Sequence, residues 1–313
     1  LNTTLSIHFA HITDVHISDQ GDSWGALGGQ APRLLAACCE RLNTVDDLDF
    51  VLITGDVLDR STPPEVKHFR DAIAVLHKPW HFVPGNHDGF YDPDHPDAYT
   101  PREAVELIDP RMADPEPDAQ KAHWSRAVRP GVRLIGLDSR MGDDWGGVID
   151  EAQFAWLKGE LETHRGDLVI VAVHHPLRNL IPHNEKPWWS NFICDNGAQV
   201  EGLLDQYPNA KLVLSGHHHA NHIRRHNGRL HVVTAALSGY PCSYRMIRMT
   251  AQGSGWHTRI ETHTVADDAT LAGAYTLLLE SNTAARYDAD APSRWLEFCA
   301  GRPGDRAFDG LLG

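Results

Sequence analysis

A chain of 313 residues with 28 Lys and Arg against 42 Asp and Glu carries a formal net charge of −14. That balance excludes a broad grip on DNA or RNA backbones and leaves phosphate recognition to a local basic or metal-bearing pocket. Hydrophobic residues make up 42% and charged residues 22%, ordinary for a globular chain of one large α/β domain or two smaller ones, and no apolar run approaches the ~20 residues of a membrane span.

Short runs rich in Val, Ile and Leu at 7–12, 50–54, 80–83, 132–137, 168–173 and 211–215, each bounded by Gly, Asp or Pro, predict buried strands. Helical spacing separates them: Leu34, Leu35, Cys38, Leu42 and Val45; Val66, Phe69, Ile73 and Leu76; Phe154, Leu157 and Leu161; Val200, Leu203, Leu204 and Tyr207. Strand and helix in alternation imply α/β layers. After residue 220 the pattern changes. Asn227-Gly228 between two extended runs predicts a tight hairpin, and two further strand-like runs follow at 242–253 and 256–265. A helix is expected from about 266. Residues 89–121 and 178–196 read as long polar or Pro-broken loops.

Five cysteines form no CxxC pair and make a poor disulfide framework. The expected compartment is therefore the reducing cytoplasm. The sequence starts at Leu1 rather than Met, which leaves a processed, exported form open. Cys38 and Cys39 read as the buried face of a helix, not a redox pair.

Histidine is over-represented, with 21 copies, and many of the chemistry-bearing residues follow predicted strands. Asp14 and His16 come after the first, Asp56 after the second, and Asn86, His87 and Asp88 after the third; His174 and His175 follow another, and His217, His218 and His219 the last of the series. The C-terminal edge of an α/β sheet is where ligands gather. Carboxylates, imidazoles and one carboxamide without a thiolate suit borderline ions such as Mn, Fe, Co or Zn. Seven candidate ligands are too many for one tetrahedral zinc and about right for two ions sharing a carboxylate. If the Asp14-x-His16 and His217-x-His219 stretches stay extended, each pair shares one face.

The ordered set Asp14-Val-His16, Gly55-Asp56, Gly85-Asn86-His87-Asp88, His174 and Gly216-His217-His218-His219 resembles the calcineurin-like metallophosphoesterase superfamily over roughly residues 5 to 250. The style of its motifs is similar to bacterial class III cyclic-nucleotide and glycerophosphodiester phosphodiesterases. The resemblance implies a four-layer α-β-β-α sandwich of two mixed sheets flanked by helices, with residues 1–265 as the catalytic domain and 266–313 as a helical extension for packing or oligomer contact. It implies that Asp14, His16 and His219 bind one metal, that Asn86, His174 and His217 bind the other, and that Asp56 bridges both. A hydroxide between the ions would attack phosphorus in line, with His87 assisting the leaving oxygen and Asp59 or Asp88 orienting His87. Arg60, in a run similar to Gly-Asp-x-x-Asp-Arg of protein phosphatases, becomes a candidate phosphate ligand.

The expected activity is hydrolysis of a small phosphoester, with diesters favoured. The alternatives are a phosphomonoesterase, acting as nucleotidase or protein phosphatase, and a non-catalytic binding module of the same fold. Neither a membrane nor an extended nucleic-acid surface is expected as partner. Trp188 and Trp189, with His183 and Asn184 in the same loop, are candidates to line the substrate entrance, or else to pack the loop. His175 and His218 neighbour proposed ligands and are expected to point elsewhere, into structural roles.

Overall fold

The computed structural model describes residues 4–89, 97–112, 121–141, 144–179 and 192–313. The six apolar runs form β1 (Ser6–Ile12), β2 (Phe50–Thr54), β3 (Trp80–Val83), β5 (Val132–Leu137), β6 (Leu168–Val173) and β7 (Ala210–Ser215). The added strands are β4 (Trp124–Arg129), β8 (His222–His226), β9 (Arg229–Val233), β10 (Ser243–Gln252), β11 (Gly255–Thr264) and β12 (Ala307–Leu312). Two mixed six-stranded sheets result, in the orders β12-β11-β10-β1-β2-β3 and β4-β5-β6-β7-β9-β8.

Side-chain alternation along the strands assigns each residue to a layer. Ile7 and Phe9 of β1, Phe50 and Leu52 of β2, Ile170 and Ala172 of β6, and Leu212 and Leu214 of β7 meet between the sheets. There Phe9 and Phe50, paired in register, stack at 4.8 Å. Ala10, Val51 and Ile53 point outward, toward α1 (Ala31–Asn43) and α2 (Pro63–Ile73). Val169, Val171 and Val213 face α4 (Glu151–Thr163) and α5 (Gly197–Leu204). Three apolar interfaces separate four layers, so the central strands read as predominantly hydrophobic runs, unbroken in LVIVAV of β6.

Several elements escape the sequence pattern. The polar stretch at 89–121 contains α3 (Pro101–Ile108), started by a capping box of Thr100 and Glu103. At the chain's end, α6 (Asp268–Leu279), α7 (Asn282–Tyr287), α8 (Ser293–Ala300) and α9 (Pro303–Arg306) precede β12, which pairs with β11. The segment expected as a helical extension thus also completes the first sheet, with Leu312 in the inter-sheet core. The expected hairpin turn has both Asn227 and Gly228 at positive φ, 46° and 77°. All five cysteines are free and buried, Cys38 and Cys39 on the inner face of α1. Among the described residues, no helix is long and apolar enough to cross a membrane.

Candidate metal centre

Each of the seven candidate ligands lies within four residues of the end of β1, β2, β3, β6 or β7. The expectation that Asp14-x-His16 and His217-x-His219 stay extended is corrected here. Asp14, His16, Asp56, His217 and His219 all adopt left-handed backbone, with φ of 51°, 46°, 51°, 64° and 50°. For residues with a Cβ such conformations cost of order 1–3 kcal/mol each and persist only where the surroundings enforce them. Here the enforcement is visible. The Asp14 and His16 amides donate to the carbonyls of Gly55 and Asp56 at 3.0 and 2.9 Å, and the His217 amide donates to Asp14 Oδ2 at 3.0 Å. A Cβ on Gly216 would sit on the Thr13 hydroxyl and the Asp14 carboxylate, so only glycine lets these two turns close on each other.

The side chains then converge in two groups. In the first, His219 Nε2 lies 3.2 Å from Asp14 Oδ1 and 3.0 Å from His16 Nε2. In the second, His174 Nε2 lies 3.2 Å from both Asn86 Oδ1 and His217 Nδ1. Asp56 Oδ2 touches both groups, 3.1 Å from His174 Nε2 and 3.8 Å from His16 Nε2.

Each of these contacts joins two atoms able to ligate a metal ion. His174 donates its Nδ1–H to the Thr54 carbonyl at 2.7 Å, so Nε2, aimed at one carboxylate, one carboxamide oxygen and one imidazole nitrogen, is the nitrogen that holds either a proton or a metal ion. Asp14 and Asp56 are 0% and 1% exposed, and their ion-pair partners among the described residues are histidines, with no Lys or Arg. Buried carboxylates of this kind require a cation. Burial holds His16 below its ordinary pKa and His217 well below it. His174 would be lowered by burial too, but the Asp56 carboxylate overrides this and takes it up to about 9. Ligand atoms about 2.0–2.2 Å from a common ion lie about 3–3.6 Å from one another, and five of the six contacts above fall in that range, Asp56 to His16 being slightly longer. The donor set and its geometry therefore fit a pair of borderline transition-metal ions.

Around this floor, His87 hydrogen-bonds through Nδ1 to the Asp59 carbonyl at 2.7 Å, with the Asp59 carboxylate 3.8 Å away. Asp88 does not reach the His87 ring. Its two oxygens accept the amides of Gly85, Asp56, Val57 and Leu58 at 2.7–3.2 Å and shape the turn that carries Asp56. Arg60 lies against Asp59 at 3.7 Å and is not part of the cavity wall. His175 spends both ring nitrogens elsewhere, on the Ser139 hydroxyl at 2.8 Å and the Trp145 carbonyl at 3.0 Å. His218 bonds through Nε2 to the Phe192 carbonyl.

Above the two groups opens a cavity of about 320 Å³, floored by His16, Asp56, His87, His217 and His219. Its walls include residues that spacing alone does not single out: Trp24, Trp145, Phe192, Trp295 and Arg286. Trp24 stacks near-parallel to His87 at 5.9 Å, and Trp145 meets the same ring edge-on at 5.0 Å. A lone Trp in a loop carries no periodic signal, so only the folded chain brings these rings to the site. His183, Asn184, Trp188 and Trp189 lie outside the described residues.

Among curated proteins, the chain is 26% identical over 277 residues to a 3′,5′-cyclic-nucleotide phosphodiesterase of Nostoc sp., covering 83% of this chain and 94% of the relative. It is 25% identical over 212 residues to a glycerophosphodiester phosphodiesterase of Enterobacter lignolyticus, covering 67% and 70%. In fold it is similar to a dimetal phosphatase from Danio rerio, with a TM-score of 0.58 at 14% identity over 83% of this chain and 97% of that one. A purple acid phosphatase from yellow lupin seeds gives a TM-score of 0.53 at 13% identity, over 85% and 52%. The sequence profile of the calcineurin-like phosphoesterases matches residues 7–221. That stretch is well over half of the chain and holds all seven converging side chains, so the protein belongs to the calcineurin-like phosphoesterase family.

Proposed function

We propose that the chain is a binuclear metal-dependent phosphodiesterase. The observation that carries this reading is the position of Asp56 Oδ2, a carboxylate oxygen within 4 Å of a histidine of each group. In this reading Asp14, His16 and His219 hold one ion, Asn86, His174 and His217 the other, and Asp56 both. Two ions of the Mn, Fe, Zn or Co series would, when bound, polarise phosphoryl oxygens and supply a nucleophile at neutral pH.

The chain's own groups do the rest. With Nδ1 of His87 committed to the Asp59 carbonyl, Nε2 is the nitrogen left for the leaving oxygen of the ester, a proton-transfer role worth about 10²–10⁴ in rate. Thr54 keeps the His174 tautomer that offers Nε2 to the ion. The aromatic walls give an organic leaving group an apolar surface. Diesters are favoured because the relatives named for cyclic nucleotides and glycerophosphodiesters match across most of the chain.

The test combines elemental analysis with turnover of bis(p-nitrophenyl) phosphate and p-nitrophenyl phosphate after loading with manganese. About two equivalents of metal and preference for the diester are expected in the wild type, with lower metal content and loss of turnover in Asp56→Ala and Asn86→Ala. Undiminished turnover in either variant would overturn the reading, and preference for the monoester would make the enzyme a phosphomonoesterase.

A further inference from the structure

The cavity has two builders. Its floor and part of its wall come from residues within the family-matched stretch 7–221. The rest of its lining comes from the C-terminal segment: Leu278 of α6, Thr283 and Arg286 of α7 and Trp295 of α8. These helices are fixed in place. Leu278, Ala284, Trp295, Leu296 and Cys299 form an apolar cluster with Ala220, the residue directly after His219. Trp295 stacks on Phe298 at 5.3 Å. Gly25, at φ 100°, lies against Leu278 so closely that a Cβ would collide, and so the loop bearing Trp24 is pressed onto α6.

Among the described residues lining the cavity, Arg286 is the one Lys or Arg. A chain with net charge −14 repels an anionic substrate at a distance, and a guanidinium in the cavity lining offsets that locally. Its planar fork also matches two phosphate oxygens at once. We propose that Arg286 is a specificity-determining residue which receives the anionic group of the substrate, while Trp24, Leu278 and Trp295 receive the organic part of the ester. This rests on the phosphoester-hydrolase reading above.

Steady-state kinetics on the manganese-loaded enzyme test it, with Arg286→Ala, Arg286→Lys and, as a control for general charge, Arg294→Ala. Arg294 is exposed, pairs with Asp288 at 2.7 Å and does not line the cavity. The expected result for Arg286→Ala is a rise in KM of about tenfold, the scale of one charge-assisted hydrogen bond, with kcat within about twofold. Arg286→Lys falls between, Arg294→Ala matches wild type, and the dianionic monoester suffers more than the diester. Equal KM in Arg286→Ala and wild type, or equal shifts in Arg286→Ala and Arg294→Ala, would overturn the proposal. Should wild type turn over no ester, the hydrolase reading falls by itself. Calorimetry of inorganic phosphate on the metal-loaded protein then decides on Arg286: about tenfold weaker binding in Arg286→Ala supports it, and equal affinity refutes it.

Discussion

The imidazole of His174 and the carbonyl of Thr54 meet at 2.7 Å, and they belong to different sheets: His174 follows β6 and Thr54 ends β2. The contact fixes the ring of a candidate ligand and ties the two halves of the sandwich together beside the site. His11 extends it, bonding Thr54 Oγ1 through Nε2 at 2.7 Å and Thr234 Oγ1 through Nδ1 at 2.8 Å. Buried Arg245 then links Thr234 at 3.1 Å to the Asp305 carbonyl in α9 at 2.8 Å.

Replacing His174 and His175 separately distinguishes a ligand from its structural neighbour. His174→Ala is expected to lose about one equivalent of metal and at least about 10²-fold in activity. His175→Ala, which removes bonds to Ser139 and Trp145 instead, should keep both equivalents and melt at lower temperature. Metal counts and melting curves on the two proteins check this.

Gly216→Ala is expected to cost about 3 kcal/mol in urea unfolding, because the added methyl displaces the Thr13 hydroxyl and the Asp14 carboxylate together. Wild-type stability in this variant would mean that the two turns are free to move apart.

Asp88→Asn tests the turn rather than the chemistry. An amide offers one acceptor oxygen to the four amides that Asp88 now serves, so a loss of about 3 kcal/mol is expected, together with weaker metal retention as Asp56 shifts. Unfolding curves and metal content read the two effects separately.

Glu65 imposes a pH dependence on stability. Its Oε2 accepts the amides of Arg60 and Thr62 at 2.8 and 3.3 Å, while Oε1 is buried with no hydrogen-bond partner among the described residues. Burial pushes its carboxyl from an ordinary 4.5 up to about 7. A raised folded-state value means that the native chain holds this proton more tightly than the unfolded one. The associated stability is full below about pH 4.5 and is lost as pH rises through about 7, a change of roughly 3 kcal/mol. Glu65→Gln, which keeps the capping geometry, should flatten that slope. Urea unfolding at pH 5 and 7.5 measures it, and a difference from wild type that stays constant with pH would refute the assignment.

The six strands are legible in the sequence because apolar residues dominate them, and α1, α2, α4 and α5 because one face each is apolar. β4 and β12 are not, since they lie at sheet edges and mix exposed or half-exposed residues such as Arg126 and Asp309 into their runs. The convergence of Asp14, His16, Asp56, Asn86, His174, His217 and His219 is legible from their places after strands. Their backbone is not. A pattern of alternate residues suggests extension, whereas a left-handed turn is chosen by contacts with other turns far away in the chain. The cavity wall is hidden for a related reason: Trp24, Trp145, Trp295 and Arg286 sit in separate segments with no shared period.

The placement of α6 to α8 over the cavity sets an order on events during synthesis. By the time His219 leaves the ribosome every residue of the floor has been made, yet β10, which lies between β1 and β11, and the helices carrying Leu278, Arg286 and Trp295 are still to come. The donors of the floor and the wall that would select what enters are therefore encoded in separate stretches of the sequence, and a chain that stops at His219 holds the first without the second.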